Sequence, residues 1–378
     1  MVVKKEENKP VPSIEEALKA LRKQFGDDAA MTFESGANKD IEWISSGSLT
    51  LDLALGGGYP MGRIVEIYGG ESCGKTTLAL HACVEAQKKG YRVAYIDLEN
   101  ALDTRYMRSL GCDLKNMIIS QPENGEQAFQ IAETLMKNNY VNVIVFDSVS
   151  SMLTSAEING EVGDSFIGVQ ARLMSMGLKK ITPIAAKPNC LCIFINQTRM
   201  KIGVMFGNPE TTSGGSALRF YSSQRLNVTR TTSPIKEGEE AVGNETRVKV
   251  VKNKVYPPFR NAAFKILYGE GISRRGEILP LAVEYGYMTK AGAFYKYNGE
   301  NVGQGEAKTL VWLKEHPEIE EELFSKIKEK ALSVMEETKD VEVIPEQIDN
   351  EEPNEEDLFG LEDSVKEMEN SIESSDDE

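Results

Sequence analysis

Apolar residues fall in this chain with two alternating periods. Short, mostly apolar runs at 63–68, Arg92–Asp97, Met117–Ser120, Val141–Asp147 and Leu191–Asn196 have the length and β-branched content of buried strands. Between them, residues 76–88, 103–110, 125–138 and 168–185 return an apolar position every three or four residues, the spacing of helices with one covered face. Strands joined by helical crossovers predict an α/β core with a mostly parallel central sheet flanked by helices. Beyond it the rhythm changes. Arg225–Thr231, Thr246–Lys252 and Ala263–Leu267 read as strands without helices between them, expected as antiparallel additions at one edge.

The flanks predict further units. Ser13 with Glu16 three residues on is a capping box, and Ile14, Ala17, Leu18, Leu21 and Phe25 then share one helical face, with Gly26 as the stop. Such a helix needs an apolar surface to cover, its own core or a neighbouring subunit's. The expected organisation is an N-terminal helix segment (1–36), a core (37–273), a small C-terminal α/β domain (274–336) ending in a helix around Glu318–Met335, and a tail (337–378).

Charge changes the reading of that tail. The net charge of −16 over 378 residues is almost all in residues 341–378, which hold sixteen acidic residues and one Lys. A near-neutral body therefore carries a polyanion that cannot bury enough apolar surface to fold alone. It is either a solubilising tail or a nucleic-acid mimic competing for basic surface. Five cysteines at 73, 83, 112, 190 and 192, with only two histidines, suit neither a disulfide framework nor a zinc site. With no apolar leader and no long uncharged run, a cytosolic protein without membrane contact is expected.

The strand at 63–68 leads into Gly69-Gly70-Glu71-Ser72-Cys73-Gly74-Lys75-Thr76-Thr77 and then a helix. This is the phosphate-loop pattern in the strand-to-helix context it requires. Gly69 and Gly74 let backbone N–H groups turn inward around phosphate oxygens, and the helix N-terminus adds positive potential. Lys75 is expected on the β- and γ-phosphates of a nucleoside triphosphate, and the Thr76 hydroxyl on Mg2+. Asp147 ends an apolar strand and is expected in the Mg2+ shell; Glu99, after the neighbouring strand, is the candidate general base. Gln197 ends another strand, where its amide could sense the γ-phosphate. Residues 198–215 follow and read as an irregular loop, in which Ile202, Val204, Met205 and Phe206 alternate with glycines and the cations Arg199 and Lys201. Apolar wedges beside cations suit nucleic acid. Ser155–Gly168 reads as a second flexible segment.

These residues together resemble the bacterial-type RecA recombinase family. Matching stretches include Met61–Gly69, the phosphate loop, Tyr95–Asp103, Phe194–Thr212, Glu245–Lys254 and Leu267–Ile272, spread over roughly residues 10–335. The resemblance implies a RecA-type DNA-dependent ATPase that forms helical filaments on single-stranded DNA, pairs that strand with homologous double-stranded DNA and exchanges strands, alongside repair and regulatory proteins. It implies that Asp103 and Tyr106 contact adenine, that Glu99 is the catalytic carboxylate, and that Gln197 couples γ-phosphate state to the loop. It also implies that Arg172, Ser175, Lys179, Arg199, Gly214 and Gly215 lie on DNA phosphates. Lys252, Lys254, Tyr268 and Gly269 would act on the neighbouring protomer's nucleotide, and the 13–25 helix would pack on that neighbour. Cys73 stands where Ser is usual, Ile167 where Met is common and Lys179 where Arg is; Thr229 and Glu306 stand where basic residues are expected. Two other classes share a phosphate-loop core, a ring-forming motor and a coating protein using ATP only as an assembly ligand.

Overall fold

A computed structural model describes residues 13–26, 29–30, 32, 41–161, 163–200 and 210–339. A compact unit extends to Leu332. The acidic run 341–378 and residues 201–209, which include Ile202, Val204, Met205 and Phe206, lie outside the described residues.

In chain order the first elements are α1 (Ile14–Phe25), β1 (Trp43–Ile44), α2 (Leu49–Leu55), β2 (Tyr59–Pro60), β3 (Ile64–Gly69), α3 (Lys75–Lys88), β4 (Val93–Asp97) and α4 (Thr104–Ser109). Then come β5 (Met117–Ser120), α5 (Gly125–Lys137), β6 (Val143–Asp147), α6 (Ser155–Asn159), α7 (Val169–Ala186), β7 (Leu191–Met200), β8 (Glu210–Thr212), α8 (Ala217–Tyr221) and β9 (Gln224–Arg230). The chain ends with β10 (Ile235–Glu237), β11 (Glu240–Asn253), β12 (Asn261–Leu267), β13 (Gly271–Ile272), α9 (Arg274–Glu284), β14 (Thr289–Ala291), β15 (Phe294–Tyr297), β16 (Glu300–Gln304), α10 (Glu306–Glu315) and α11 (Pro317–Lys339).

The main sheet runs β13-β12-β11-β9-β3-β7-β6-β4-β5. From β9 to β5 every pair is parallel. Strands β3, β4 and β6 are buried along their whole length, which is why they read as continuous apolar runs. One face is covered by α3, where Leu78, Ala79, Ala82 and Cys83 pack on Val65, Ile67, Tyr95 and Val145. The other is covered by α5 and α7, with Phe129, Phe146 and Phe194 clustered and the last two rings stacked at 4.3 Å. A Cβ on Gly177 of α7 would lie 2.5 Å from the Phe129 ring, so α5 and α7 meet closely only because that residue is glycine.

Three sequence expectations are corrected and one gap is filled. β9 is not a purely antiparallel addition: it pairs parallel with β3 and antiparallel with β11, and the direction reverses only at β11. The stretch 198–215 is not irregular throughout, because β7 continues to Met200 and Thr198–Met200 pair with Glu210–Thr212 of β8. The segment 155–168 opens with α6, held by a Thr154/Glu157 capping box. The 43–60 region, unread in the sequence, supplies α2 and a two-stranded sheet.

α1 forms as expected with its Ser13/Glu16 box, yet none of its residues is buried; Ile14 is 72% exposed and Phe25 66%. A third core cluster joins α9, α10 and α11 to Leu49 at the start of α2. Glu277 of α9 reaches into that junction, where its carboxylate accepts from Ser48 Oγ (2.6 Å), Thr50 Oγ1 (2.6 Å) and the Thr50 N–H (3.0 Å). Burial pushes its pKa up, while those donors pull it down. Among the described residues no helix is long and apolar enough to cross a membrane.

Candidate functional site

The carboxyl ends of β3, β4, β6 and β7 meet at one edge of the sheet, where open α/β folds place their ligands. β3 delivers the phosphate loop. A Cβ on Gly69 would sit 2.0 Å from the Val228 carbonyl oxygen of β9, so the turn off the strand requires glycine. Gly74, at φ +101° and pressed against Ile266, is the N-cap of α3 and provides no side-chain cap. The first N–H groups of α3 are thereby left facing an anion position. Gly70, Glu71 and Ser72 are exposed at the tip of the loop.

Lys75 is buried and its ammonium folds back to donate to the Gly70 carbonyl, 3.8 Å from Cys73 Sγ. Cys73 donates to the same carbonyl (3.1 Å). Burial pushes its thiol up despite the pull of Lys75, so it stays protonated and unreactive at neutral pH. Thr76 and Thr77 point to different partners. Thr76 Oγ1 donates to Asp147 Oδ2 at 3.0 Å, and Thr77 Oγ1 lies 2.9 Å from the Tyr106 hydroxyl.

Asp147, at the end of β6, shares a cavity of about 120 Å³ with Asp97, Glu99, Asp103 and Tyr106. Its pKa is pushed up to about 6, chiefly by burial, with Glu99 and Asp97 adding repulsion against the hydrogen bonds from Tyr95 and Thr76. The Asp147 carboxylate and the Thr76 hydroxyl beside it are hard oxygen ligands of the kind Mg2+ takes, and among the described residues no cluster of three His, Cys, Asp or Glu side chains forms a metal cage. Glu99 is exposed to the cleft; Oε1 accepts from Ser148 Oγ and lies 3.5 Å from Gln197 Nε2. Asp97 accepts from Gln121 Nε2 (2.9 Å). Asp103 caps α4 through the N–H groups of Arg105 and Tyr106, fixing the Tyr106 ring at the cavity wall.

Gln197 marks the point where β7 leaves the core. Beyond it Arg199 is exposed, and the β7–β8 pairing brings the two ends of 201–209 together. Gly214 and Gly215 follow in left-handed conformation, at φ +80° and +73°. Cβ atoms there would lie 2.8 Å from Val149, just after β6, and 2.7 Å from Ala171 of α7, so the turn after β8 packs this closely only as glycine. Arg172, Ser175 and Lys179 of α7, spaced three and four apart, form one exposed stripe on that helix.

The remaining expected residues divide between the two ends of the sheet. Thr246 of β11 donates to the Cys73 carbonyl (3.5 Å), so the turn after β12, with Tyr268 and Gly269, lies on the phosphate-loop side. Tyr268 is 56% exposed and accepts from Asn244 Nδ2 (2.6 Å). Lys252 instead pairs in register with Arg225, itself level with Glu66, three residues before Gly69. That puts it about 10 Å toward the other end of the sheet from the loop. It donates to the Arg219 and Phe220 carbonyls, and its ammonium is pushed down to about 8 by burial and by Lys254 and Arg225. Lys254 is exposed beside it. One chain therefore gathers Lys75, Thr76, Glu99, Asp103, Tyr106, Asp147 and Gln197 but not Lys252 or Lys254. The Thr229 side chain lines an open groove with Arg247 and Lys249, and Glu306 is paired with Lys265.

Two residues of the site escaped the sequence reading. Tyr95, wholly buried on β4, donates to Asp147 Oδ2 at 2.7 Å, and Ser148 donates to Glu99. Strand alternation carried a signal, since Tyr95 and Asp97 share a face of β4, which turns a phenol toward the same edge.

The RecA N-terminal domain family matches residues 12–273, and the RecA C-terminal domain family matches residues 276–332. A "Protein RecA" from Thioalkalivibrio sulfidiphilus (strain HL-EbGR7) is 55% identical over 318 residues, covering 84% of this chain and 92% of its own. A "Protein RecA" from Mannheimia haemolytica is 52% identical over 340 residues, covering 87% of this chain and 92% of its own. With both domains matched in order and relatives of this identity along most of its length, the chain belongs to the RecA family.

Proposed function

We propose that this chain is a recombinase of DNA recombination and repair that works as a DNA-stimulated ATPase, polymerising with ATP and Mg2+ on single-stranded DNA and exchanging that strand with homologous duplex. The observation that carries the reading is the 3.5 Å approach of Gln197 Nε2 to Glu99 Oε1, because it joins the hydrolytic carboxylate to the strand that leads into the 198–212 segment. Nucleotide chemistry and nucleic-acid contact then share one side-chain pair.

In this reading Lys75 releases the Gly70 carbonyl and turns its ammonium to the β- and γ-phosphates, while the loop N–H groups take the remaining oxygens. Thr76 and Asp147 would hold Mg2+, which supplies charge neutralisation on the phosphates when bound. Asp103 and Tyr106 bound the adenine end, while Tyr268 and Gly269 act on the nucleotide of the neighbouring protomer. Glu99, oriented by Ser148, accepts the proton of the attacking water. A γ-phosphate competes with Glu99 for the Gln197 amide, and the change of partner is passed along β7 to Thr198–Met200. Arg172, Ser175, Lys179, Arg199 and the glycine pair Gly214–Gly215 hold DNA phosphates, with Ile202, Val204, Met205 and Phe206 against the bases. Lys252 and Lys254 complete the nucleotide site of the next protomer in a helical filament.

The test is strand exchange with homologous and heterologous duplexes, run beside ATP turnover with and without single-stranded DNA. Exchange limited to the homologous duplex and DNA-stimulated turnover are expected. A turnover rate indifferent to DNA would reject the reading.

A further inference from the structure

Glu66 is a fully buried carboxylate in the middle of an otherwise apolar strand, β3, three residues before the phosphate loop. A buried charge is tolerated only when it is paired and fully hydrogen-bonded. Its two oxygens divide between two strands. Oε2 accepts from Arg225 Nε of β9 at 2.5 Å, and Oε1 accepts from Asn196 Nδ2 of β7 at 3.1 Å.

Each partner reaches further. The Asn196 amide also donates to the Ser213 carbonyl (2.9 Å), and its oxygen accepts from the Gln197 N–H (2.9 Å). Asn196, the residue before Gln197, is thus fixed to Ser213, just past the far end of the 198–212 segment. Arg225 lies over the Tyr68 ring, 4.7 Å from its centre, and pairs in register with Lys252 on β11. One carboxylate on the strand that becomes the phosphate loop therefore holds the anchor of the DNA segment on one side. On the other it holds the neighbour of Lys252. Replacing a buried ion pair by well-packed apolar groups is often neutral or stabilising, so stability alone gives no reason for the arrangement.

We propose that Glu66 is a positioning residue: through Asn196 and Arg225 it couples the phosphate loop to the 198–212 segment and to Lys252, so that DNA contact alters nucleotide turnover. A small displacement of β7 at Asn196 changes how Glu66 seats Arg225, and with it the strand that carries Lys252. The proposal rests on the ATPase reading above, and the experiment keeps the two apart.

Glu66→Gln keeps the shape and removes the charge; a second variant, Glu66→Gln with Arg225→Met, removes both charges and leaves no orphaned ion should the single change fail to fold. Three quantities are measured on the full chain: the melting temperature, Mg-ATP binding without DNA, and the ratio of ATP turnover with and without single-stranded DNA. Folded variants with unchanged DNA-free nucleotide binding and a stimulation ratio reduced about 5- to 150-fold, the usual span of a coupling between sites, are expected. A folded variant with the parent's ratio overturns the proposal. So does an equal loss with and without DNA, since that marks a merely structural role. Absence of stimulation in the parent chain would instead reject the ATPase reading.

Discussion

Tyr95→Phe removes one oxygen from a fully buried side chain and, with it, the O–H donated to Asp147 Oδ2 at 2.7 Å. Asp147 is itself only 6% exposed, so water does not replace the lost donor, and Thr76 at 3.0 Å is the remaining donor to that oxygen. A hydrogen bond to a charged group contributes about 1.5–3 kcal/mol, and that is the expected loss where Asp147 is ionised. The pH dependence follows from the sign of each effect. Burial holds the Asp147 pKa at about 6, above its ordinary 3.8, so its ionisation weakens the fold above pH 6 and its contribution to stability rises as pH falls from 6 toward 4. The Tyr95 hydrogen bond opposes that shift, so its stabilisation is present above about pH 6 and disappears as Asp147 takes up a proton. Urea unfolding of parent and variant in EDTA without nucleotide, at pH 7.5 and pH 5, measures both. A penalty of about 1.5–3 kcal/mol at pH 7.5 that shrinks at pH 5 is expected. An equal penalty at the two pH values, or none at 7.5, would refute the assignment of the phenol to the ionised carboxylate.

Other expectations address the chemistry directly. Lys75→Ala should abolish Mg-ATP binding, checked by equilibrium titration with a fluorescent nucleotide, because Lys75 is the one cation within the Gly69–Thr77 sequence. Glu99→Ala should bind ATP and DNA but hydrolyse about 10²- to 10⁴-fold more slowly, the range of a lost general base, and full turnover would remove Glu99 from the mechanism. Lys252 should lose its charge as pH rises through about 8, so KM for ATP on saturating DNA should climb there, and Lys252→Arg should move that limb upward. Deleting 341–378 should strengthen duplex binding, most of all at low salt, if the tail competes with phosphates; an unchanged affinity would leave a solubilising role.

The parts of the site visible in the sequence are those that one strand and its following turn specify together. β3 with its loop, Asp147 at the end of β6 and Glu99 after β4 were readable because period and motif agree within a dozen residues. α6 was equally local, since Thr154 and Glu157 form a capping box, but the glycines at 160 and 163 masked it. What could not be read depends on sheet order. Glu66 sits in an apolar run, and only β9 and β7 on either side of β3 show that its charge is paired with Arg225 and tied to Asn196. The Tyr95–Asp147 contact likewise joins residues 52 apart in sequence. Strand alternation told which face Tyr95 takes but not which carboxylate waits there. β8 is too short to announce itself, three residues that become a strand only because β7 runs past Asn196.

Sheet register also bears on how a filament would close its sites. Because β11 runs antiparallel to β9, residues earlier in β11 lie nearer the phosphate loop and later ones farther away: Val248 is level with Val228 and Gly69, whereas Lys252 is level with Arg225 and Glu66. At about 3.3 Å per residue the separation exceeds the reach of a lysine whose ammonium is already committed to the Arg219 and Phe220 carbonyls. A chain with Lys252 in catalysis must therefore present it to another copy's nucleotide. The surface offering Lys252 and the surface offering the loop are different, so the contact is heterologous, and a heterologous contact that does not close generates an open helix. The uncovered α1, whose apolar residues find no cover among the described residues, is a second surface of the kind such a head-to-tail contact requires.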